Sequence, residues 1–242
     1  MSVITSLIAD KIVRTTLDIQ WNLAGGVLTL TGSGQMPDFA SGTAPMYARA
    51  STINKLIVSD SITSIGNYAF QDFAKYGSSG FVAEIGSGVT SIGTYAFTRC
   101  GYQCTGDINI TFKGVLNSIN VYAFNQVGYG CNGNILFYIP YNGLSISNYA
   151  FSEVGRTAKK NLDVMFNGRV NSIGAYCFQY AAYSMTGSVT MMFPNASLDT
   201  IGANAFYQAG YSCSGNVDML FNCNNLSIAS SAFSGAAQLS GG

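Results

Sequence analysis

Ser64-Ile65-Gly66-Asn67-Tyr68-Ala69-Phe70 is followed by Ser91-Ile92-Gly93-Thr94-Tyr95-Ala96-Phe97, and the pattern then recurs five more times. The closing aromatics are Phe70, Phe97, Phe124, Phe151, Phe178, Phe206 and Phe233, separated by 27, 27, 27, 27, 28 and 27 residues. Self-similarity at a fixed period of this length identifies a repeat solenoid, in which each coil buries its apolar face only against its neighbours.

Reading outward from the motif, each coil begins with a segment of alternating character. Ile108, Ile110 and Phe112 fall on one face, with Asp107, Asn109 and Thr111 on the other. The same inward set returns as Ile135/Phe137/Ile139, Leu162/Val164/Phe166, Val189/Met191/Phe193 and Val217/Met219/Phe221. Period-two alternation held in register predicts a half-buried strand. A turn then leads into Ser-Ile, whose Ile65, Ile92, Ile119, Ile146, Ile173, Ile201 and Ile228 are expected to point inward. Tyr-Ala-Phe is expected to form one helical or 3₁₀ turn on the opposite side. A Gly-rich loop such as Gly101-Tyr102-Gln103-Cys104-Thr105-Gly106 closes the coil.

Upstream, Ile19–Leu23 and Val27–Thr31 flank Ala24-Gly25-Gly26, a hairpin pattern. An irregular connection with Pro37 and Pro45 follows. The domain reading is therefore a leader or attachment segment over 1–18, an N-terminal β-hairpin cap over 19–50, and seven repeats over 51–242.

The Ser-Ile-Gly-x-Tyr-Ala-Phe repeat resembles the BspA-like, or Treponema-type, leucine-rich repeats, whose pattern is an Ile-Gly-x-x-Ala-Phe core preceded by an apolar strand. Trp21-Asn22-Leu23 with Leu28-Thr29-Leu30-Thr31-Gly32-Ser33-Gly34-Gln35-Met36 resembles the segment that often precedes such repeats. Departures are the long period, the added Gly-Tyr-x-Cys-x-Gly loop, Asn120, Ser147 and Ala229 in place of Gly, and Cys177 in place of Ala. The resemblance implies a right-handed coil with a parallel β-sheet on one face. It also implies adhesion or protein binding, with no catalytic activity common to the family.

Composition narrows the chemistry. The net charge is zero and 9% of the residues are charged. This argues against a nucleic-acid partner or an anionic membrane surface, which need clustered Lys and Arg. Met1–Asp10 lacks the basic start and long apolar run of a secretory signal, so the chain is expected to be made without a visible one, or to be shown without its leader. No run approaches the roughly 18 apolar residues that span a bilayer. Histidine is absent, which removes Ser-His and Cys-His pairs and His-containing metal sites.

Cys104, Cys131 and Cys213 share a repeat column with Gly77, Ala158 and Met185, an apolar slot that suits buried free thiols. Gly128-Tyr129-Gly130-Cys131-Asn132-Gly133 matches GxGxxG, but it precedes a strand and opens no helix, so it is read as a repeat loop. Glu84 and Asp163 would lie about 14 Å apart, beyond the roughly 5–10 Å of a glycosidase pair. No catalytic residue, cofactor or metal is assigned.

Two surfaces remain as candidate sites. One is a tyrosine column in the Gly-rich loops, Tyr102, Tyr129, Tyr183 and Tyr211, joined by Arg156. A second tyrosine column, Tyr68, Tyr95, Tyr122, Tyr149 and Tyr176, is read as a ladder covering the edge of the core. The other candidate is the outward strand face, where Leu136, Tyr138, Met165, Met192 and Leu220 form an apolar patch. The expected function is a non-catalytic binding or adhesion module that contacts a protein or glycan on a host or partner surface. It would belong to a virion (a phage fibre or tail component) or to a cell surface. The alternatives are a secreted bacterial or protist adhesin and a structural assembly subunit. No closing strand follows Phe233, so homo-oligomerisation or docking through the C-terminal end is also expected.

Overall fold

The computed structural model describes residues 19–194, 198–223 and 226–238. The expected leader over 1–18 lies outside the described residues. The strands are β1 (Gln20–Ala24), β2 (Val27–Thr31), β3 (Gly34–Gln35), β4 (Lys55–Val58), β5 (Ile62–Ile65), β6 (Phe81–Ile85), β7 (Ser91–Ile92) and β8 (Ile108–Phe112). They continue as β9 (Leu116–Ile119), β10 (Ile135–Ile146), β11 (Leu162–Ile173), β12 (Val189–Phe193), β13 (Thr200–Ile201), β14 (Val217–Phe221) and β15 (Ser227–Ile228). The hairpin forms as expected, with Trp21 opposite Leu30 and Ala24 opposite Val27.

The coils stack in parallel and in register. Phe81 pairs Ile108, Ile108 pairs Ile135, Ile135 pairs Leu162, Leu162 pairs Val189, and Val189 pairs Val217. The cap is continuous with this sheet, because β2 pairs β4 in parallel through Leu28↔Leu56 and Leu30↔Val58. The alternation sends Ile108, Ile110 and Phe112 fully inside while Asn109 and Thr111 stay half-exposed.

Two local expectations need correction. The Ser-Ile segment is a second strand of the coil, not only a turn. Ile65 pairs Ile92, Ile92 pairs Ile119, Ile119 pairs Ile146, and the column continues through Ile173, Ile201 and Ile228. In β10 and β11 the two strands merge around the corner into one 12-residue strand.

The Tyr-Ala-Phe arm is not helical. Among the described residues the one helical element is a 3₁₀ turn over Tyr47–Thr52, upstream of the first coil. In the arm, Tyr68, Asp72, Ala74 and Tyr76 have φ of 54°, 65°, 54° and 58°, in the left-handed region. Alternate N–H groups therefore reach the next coil: Phe70 N donates to Ala96 O at 2.8 Å and Asp72 N to Thr98 O at 3.0 Å. Those between donate within the coil, as Gln71 N does to Tyr68 O. A helix would satisfy each coil internally; this arm welds coil to coil. Left-handed backbone costs a non-glycine residue on the order of 1 kcal/mol, and the interlocked hydrogen bonds offset it.

The core is built on aromatic spacing. Rings of the closing Phe column from Phe70 to Phe233 stack at 4.9–5.2 Å, the distance between coils. A second column from the strands (Phe137, Phe166, Phe193, Phe221) meets the first edge-on, for example Phe166 to Phe178 at 6.3 Å and 89°. Offset stacks and edge-on contacts are the favoured geometries of aromatic pairs.

The last coil departs from the expected inward placement of Ile228. Phe233, Val217, Met219 and Phe221 are only partly buried, and Ile228 is 54% exposed, while Ile173 and Ile201 are 1% exposed. No further coil among the described residues covers them.

Candidate binding surface

The side chains that alternate outward from the strands form two straight rows across the sheet. One runs Ile57, Glu84, Thr111, Tyr138, Met165, Met192, Leu220; the other runs Lys55, Val82, Asn109, Leu136, Asp163, Thr190, Asp218. Sequence reasoning placed every one of these residues, because strict pairing in register carries each repeat position onto the next coil.

The rows change character halfway. In the first coils the polar groups satisfy one another. Lys55 Nζ lies 2.7 Å from Glu84 Oε1, Lys113 Nζ approaches the other oxygen at 3.9 Å, and Thr111 Oγ1 donates to Asn109 Oδ1 at 2.9 Å. The hydrogen bond from Lys55 holds the Glu84 carboxyl below its ordinary range. From the fourth coil the first row is apolar, with Tyr138 36%, Met165 38% and Leu220 49% exposed and Met192 partly so, joined by half-buried Leu136 from the second row. Asp163 and Asp218 flank this stretch and make no ion pair among the described residues. A shallow depression of about 550 Å³ lies at its end, lined by Thr190, Met192, Val217, Asp218, Met219 and Leu220. On the far side of the apolar row the Asn167 amide donates to the Tyr138 hydroxyl at 3.1 Å.

The tyrosine columns are built differently. Tyr68, Tyr95, Tyr122, Tyr149 and Tyr176 stack at 4.8–5.0 Å with planes within 15°. All five occupy left-handed backbone, with φ of 54–58°. This is the edge ladder the sequence suggested, and burial by the neighbouring rings raises the phenol pKa of Tyr95 and Tyr122. In the loop column Tyr102 stacks on Tyr129 at 5.0 Å and Tyr183 on Tyr211 at 5.3 Å. The Arg156 guanidinium fills the fourth coil, 5.8 Å from the Tyr129 ring and 5.1 Å from the Tyr180 and Tyr183 rings. Glu153 holds it at 3.2 Å. Tyr129 and Tyr183 each have a stacked ring and Arg156 as neighbours, Tyr102 has Tyr129 stacked with Tyr76 edge-on and Lys75 near its ring, and Tyr211 is stacked on Tyr183. A sugar platform needs a free face; in this column most faces are occupied, and mainly edges and hydroxyls remain for solvent.

Three structural features were not anticipated. Side-chain oxygens form ladders at the coil spacing: Asp107 Oδ1 accepts from Asn134 N, Asn134 Oδ1 from Asn161 N, and Asn161 Oδ1 from Ser188 N, at 2.7, 3.3 and 3.0 Å. The signal was present as Asp107, Asn134 and Asn161 at 27-residue intervals. Asp38, Asn67 and Thr94 repeat the pattern beside the cap and line a polar depression of about 610 Å³. Finally, buried Asp72 receives two hydrogen bonds from Arg99 at 2.7 Å and one from the Tyr47 hydroxyl at 3.1 Å, tying the connection before the first coil to the second. Asp72 and Arg99 hold the same repeat position on adjacent coils, two residues after Phe70 and Phe97, whereas Tyr47 lies upstream of the repeats.

Cys100, Cys104, Cys131, Cys177 and Cys213 are buried and Cys223 is partly exposed. Burial pushes the Cys100 and Cys177 thiols up, which suppresses the reactive thiolate. Cys104 and Cys131 Sγ lie 3.1 Å apart on adjacent coils. Among the described residues no group of three His, Cys, Asp or Glu could hold a metal ion, and no helix is long and apolar enough to cross a membrane. The Gly128–Gly133 loop leads directly into the strand β10.

A crystal structure of a leucine-rich repeat protein from Eubacterium ventriosum ATCC 27560 aligns over 93% of this chain and 94% of its own, at 15% identity and a TM-score of 0.37. No curated protein sequence matches the chain. The family profile described as BspA type Leucine rich repeat region matches six copies, over residues 44–180, 82–212 and 128–241. Repeats of this kind typically mediate protein binding and are typically non-catalytic. The repeat motif, the stacked coils and the profile match together place this chain in the BspA-type leucine-rich repeat family.

Proposed function

We propose that this chain is a non-catalytic binding module that engages a protein through the outward sheet face of its last four coils. The observation that carries the reading is the exposed apolar row Tyr138, Met165, Met192 and Leu220, set on a rigid parallel sheet. Single exposed apolar side chains are ordinary on protein surfaces, whereas a contiguous row of several hundred Å² marks an interaction site. In this reading the protein is an adhesin of a virion or cell surface, and the neutral exterior supports that assignment. The loop tyrosines contribute mainly hydroxyls and edges, since most of their faces are stacked on a neighbouring ring or beside Arg156.

The test is capture from candidate host-envelope extracts, alongside a glycan array, with wild type and a Tyr138→Ser/Met165→Ser/Met192→Ser variant. Loss of the captured protein in the variant is expected. Undiminished capture, or selective glycan binding that the variant retains, overturns the reading.

A second reading concerns assembly. Ile228 and Leu220, 54% and 49% exposed at the open end of the stack, favour docking of a second copy there. Sedimentation that shows only monomer at high concentration refutes it.

A further inference from the structure

The outward face also indicates what kind of segment it accepts; this step rests on the binding function proposed above. Ring stacks along the solenoid repeat every 4.8–5.3 Å, so Tyr138, Met165, Met192 and Leu220 present apolar side chains at about 5 Å intervals over roughly 15 Å. A ligand lying along this row must repeat its own apolar side chains at nearly the same interval. An α-helix does so: positions i, i+4, i+7 and i+11 advance about 5.5 Å per step and drift by about 2 Å across the row. An extended strand repeats its face every 6.6–6.8 Å and drifts by about 5 Å, so it loses register by the third coil.

Charge sets the second requirement. Glu84 in the first coils is answered by Lys55 and Lys113. Asp163 and Asp218, beside Met165 and Leu220, have no cationic partner among the described residues. They lie two coils apart, about 10 Å, which is the separation of helix residues i and i+7. We infer that the occupant of this face is an amphipathic α-helix of a partner protein, laid along the solenoid axis, with an apolar stripe and two Lys or Arg residues seven apart along its edge. Its stripe covers Tyr138, Met165, Met192 and Leu220, and its basic edge meets Asp163 and Asp218.

Three synthetic 15-residue peptides test this by fluorescence anisotropy against the full chain. One carries Leu at i, i+4, i+7 and i+11 with two flanking Lys seven apart. A second replaces those Lys by Glu. A third has the first peptide's composition in strict alternation. Binding of the first is expected to exceed that of the second by about fivefold or more at low salt, with the preference shrinking in high salt. It should also exceed that of the third. Asp163→Asn/Asp218→Asn, isosteric changes on the surface, should erase the Lys-over-Glu preference while leaving circular dichroism unchanged. Equal binding of the Lys and Glu peptides, a preference that survives the Asn variant, tighter binding of the alternating peptide, or no binding of any peptide overturns the inference. Peptide binding abolished by Met165→Ser/Met192→Ser but indifferent to charge overturns the basic helix while leaving the binding face intact. A dimer in sedimentation that Met165→Ser/Met192→Ser dissociates assigns the face to a second copy and also overturns it.

Discussion

Replacing Phe151 by alanine should be far more damaging than replacing Phe233, although the two residues hold the same repeat position. Phe151 is fully buried, sandwiched between Phe124 at 4.9 Å and Phe178 at 5.0 Å, and met edge-on by Phe137 at 5.5 Å and Phe166 at 6.0 Å. Phe→Ala in a closed core costs about 3–5 kcal/mol, and two lost stacks place this site near the top of that range. Phe233 is half-buried and has one stacking partner, Phe206 at 5.0 Å, with Phe221 edge-on at 5.6 Å. Half the contacts implies about 2 kcal/mol.

The architecture adds a second signature. Solenoid stability is close to a sum of coil and interface terms, so a weak middle coil divides the array. The single tryptophan, Trp21, sits in the cap against Phe39 and Phe70 at 6.1 and 5.8 Å and reports the N-terminal end. Far-UV circular dichroism reports all coils. In urea, Phe151→Ala should separate these two transitions, while Phe233→Ala should leave the Trp21 transition near its wild-type midpoint. Equal losses for the two variants, or coincident probes with a loss under about 2 kcal/mol for Phe151→Ala, refute the stacked-core reasoning.

Other consequences follow from the backbone and the titratable groups. Thr157 is β-branched at φ 57°, so Thr157→Gly should raise stability by about 0.5 kcal/mol net of glycine's greater unfolded freedom. Gly101→Ala should lower it by about 2 kcal/mol or more, since φ is 62° and the new Cβ runs into Ile108; denaturant midpoints of both variants decide. With a water-soluble thiol reagent, Cys223 should react in the native protein and the five buried cysteines only after unfolding; rapid native labelling of Cys177 contradicts the burial. Glu84 has its carboxyl pKa depressed by Lys55, so it contributes stability above its unfolded value of about 4.5 and loses it as pH falls through the lower folded value. The stability gap between wild type and Glu84→Gln should therefore be largest near neutrality and vanish in acid; a gap that widens in acid refutes the sign.

The repeat makes the stacking legible in the sequence alone. Once the Phe column is seen at 27-residue intervals, the inward strand residues and both outward rows follow, because parallel register carries each position to the next coil. What stayed hidden depends on backbone conformation. Tyr-Ala-Phe reads as a helical turn because Ala and Tyr carry no mark of φ above zero. At position Phe+4 four coils do carry glycine (Gly101, Gly128, Gly155, Gly210), yet Ala74 and Ala182 adopt the same conformation. The second strand column is hard to read because its separate strands span two to four residues, too short to show alternation. For the surface, the outward apolar row is legible in the sequence, whereas spacing alone does not reveal that Tyr102 and Tyr129, and Tyr183 and Tyr211, stack face to face. The Asp72–Arg99 pair shares one repeat column, 27 residues apart, but no later coil repeats the pair, and Tyr47, the third member, lies outside the repeats.

The central claim is that the invariant positions are scaffold and that the outward row of the last coils is the contact surface. Carbon-13 methyl-methionine spectra test it directly, because the methionines sort by face. Met165 and Met192 lie outward, while Met185 and Met191 are fully buried. On titration with the partner retained by capture, the Met165 and Met192 methyls should shift or broaden, with Met185 and Met191 unmoved. A partner that binds without perturbing Met165 and Met192, or that perturbs only Met46 near the cap, contradicts the account.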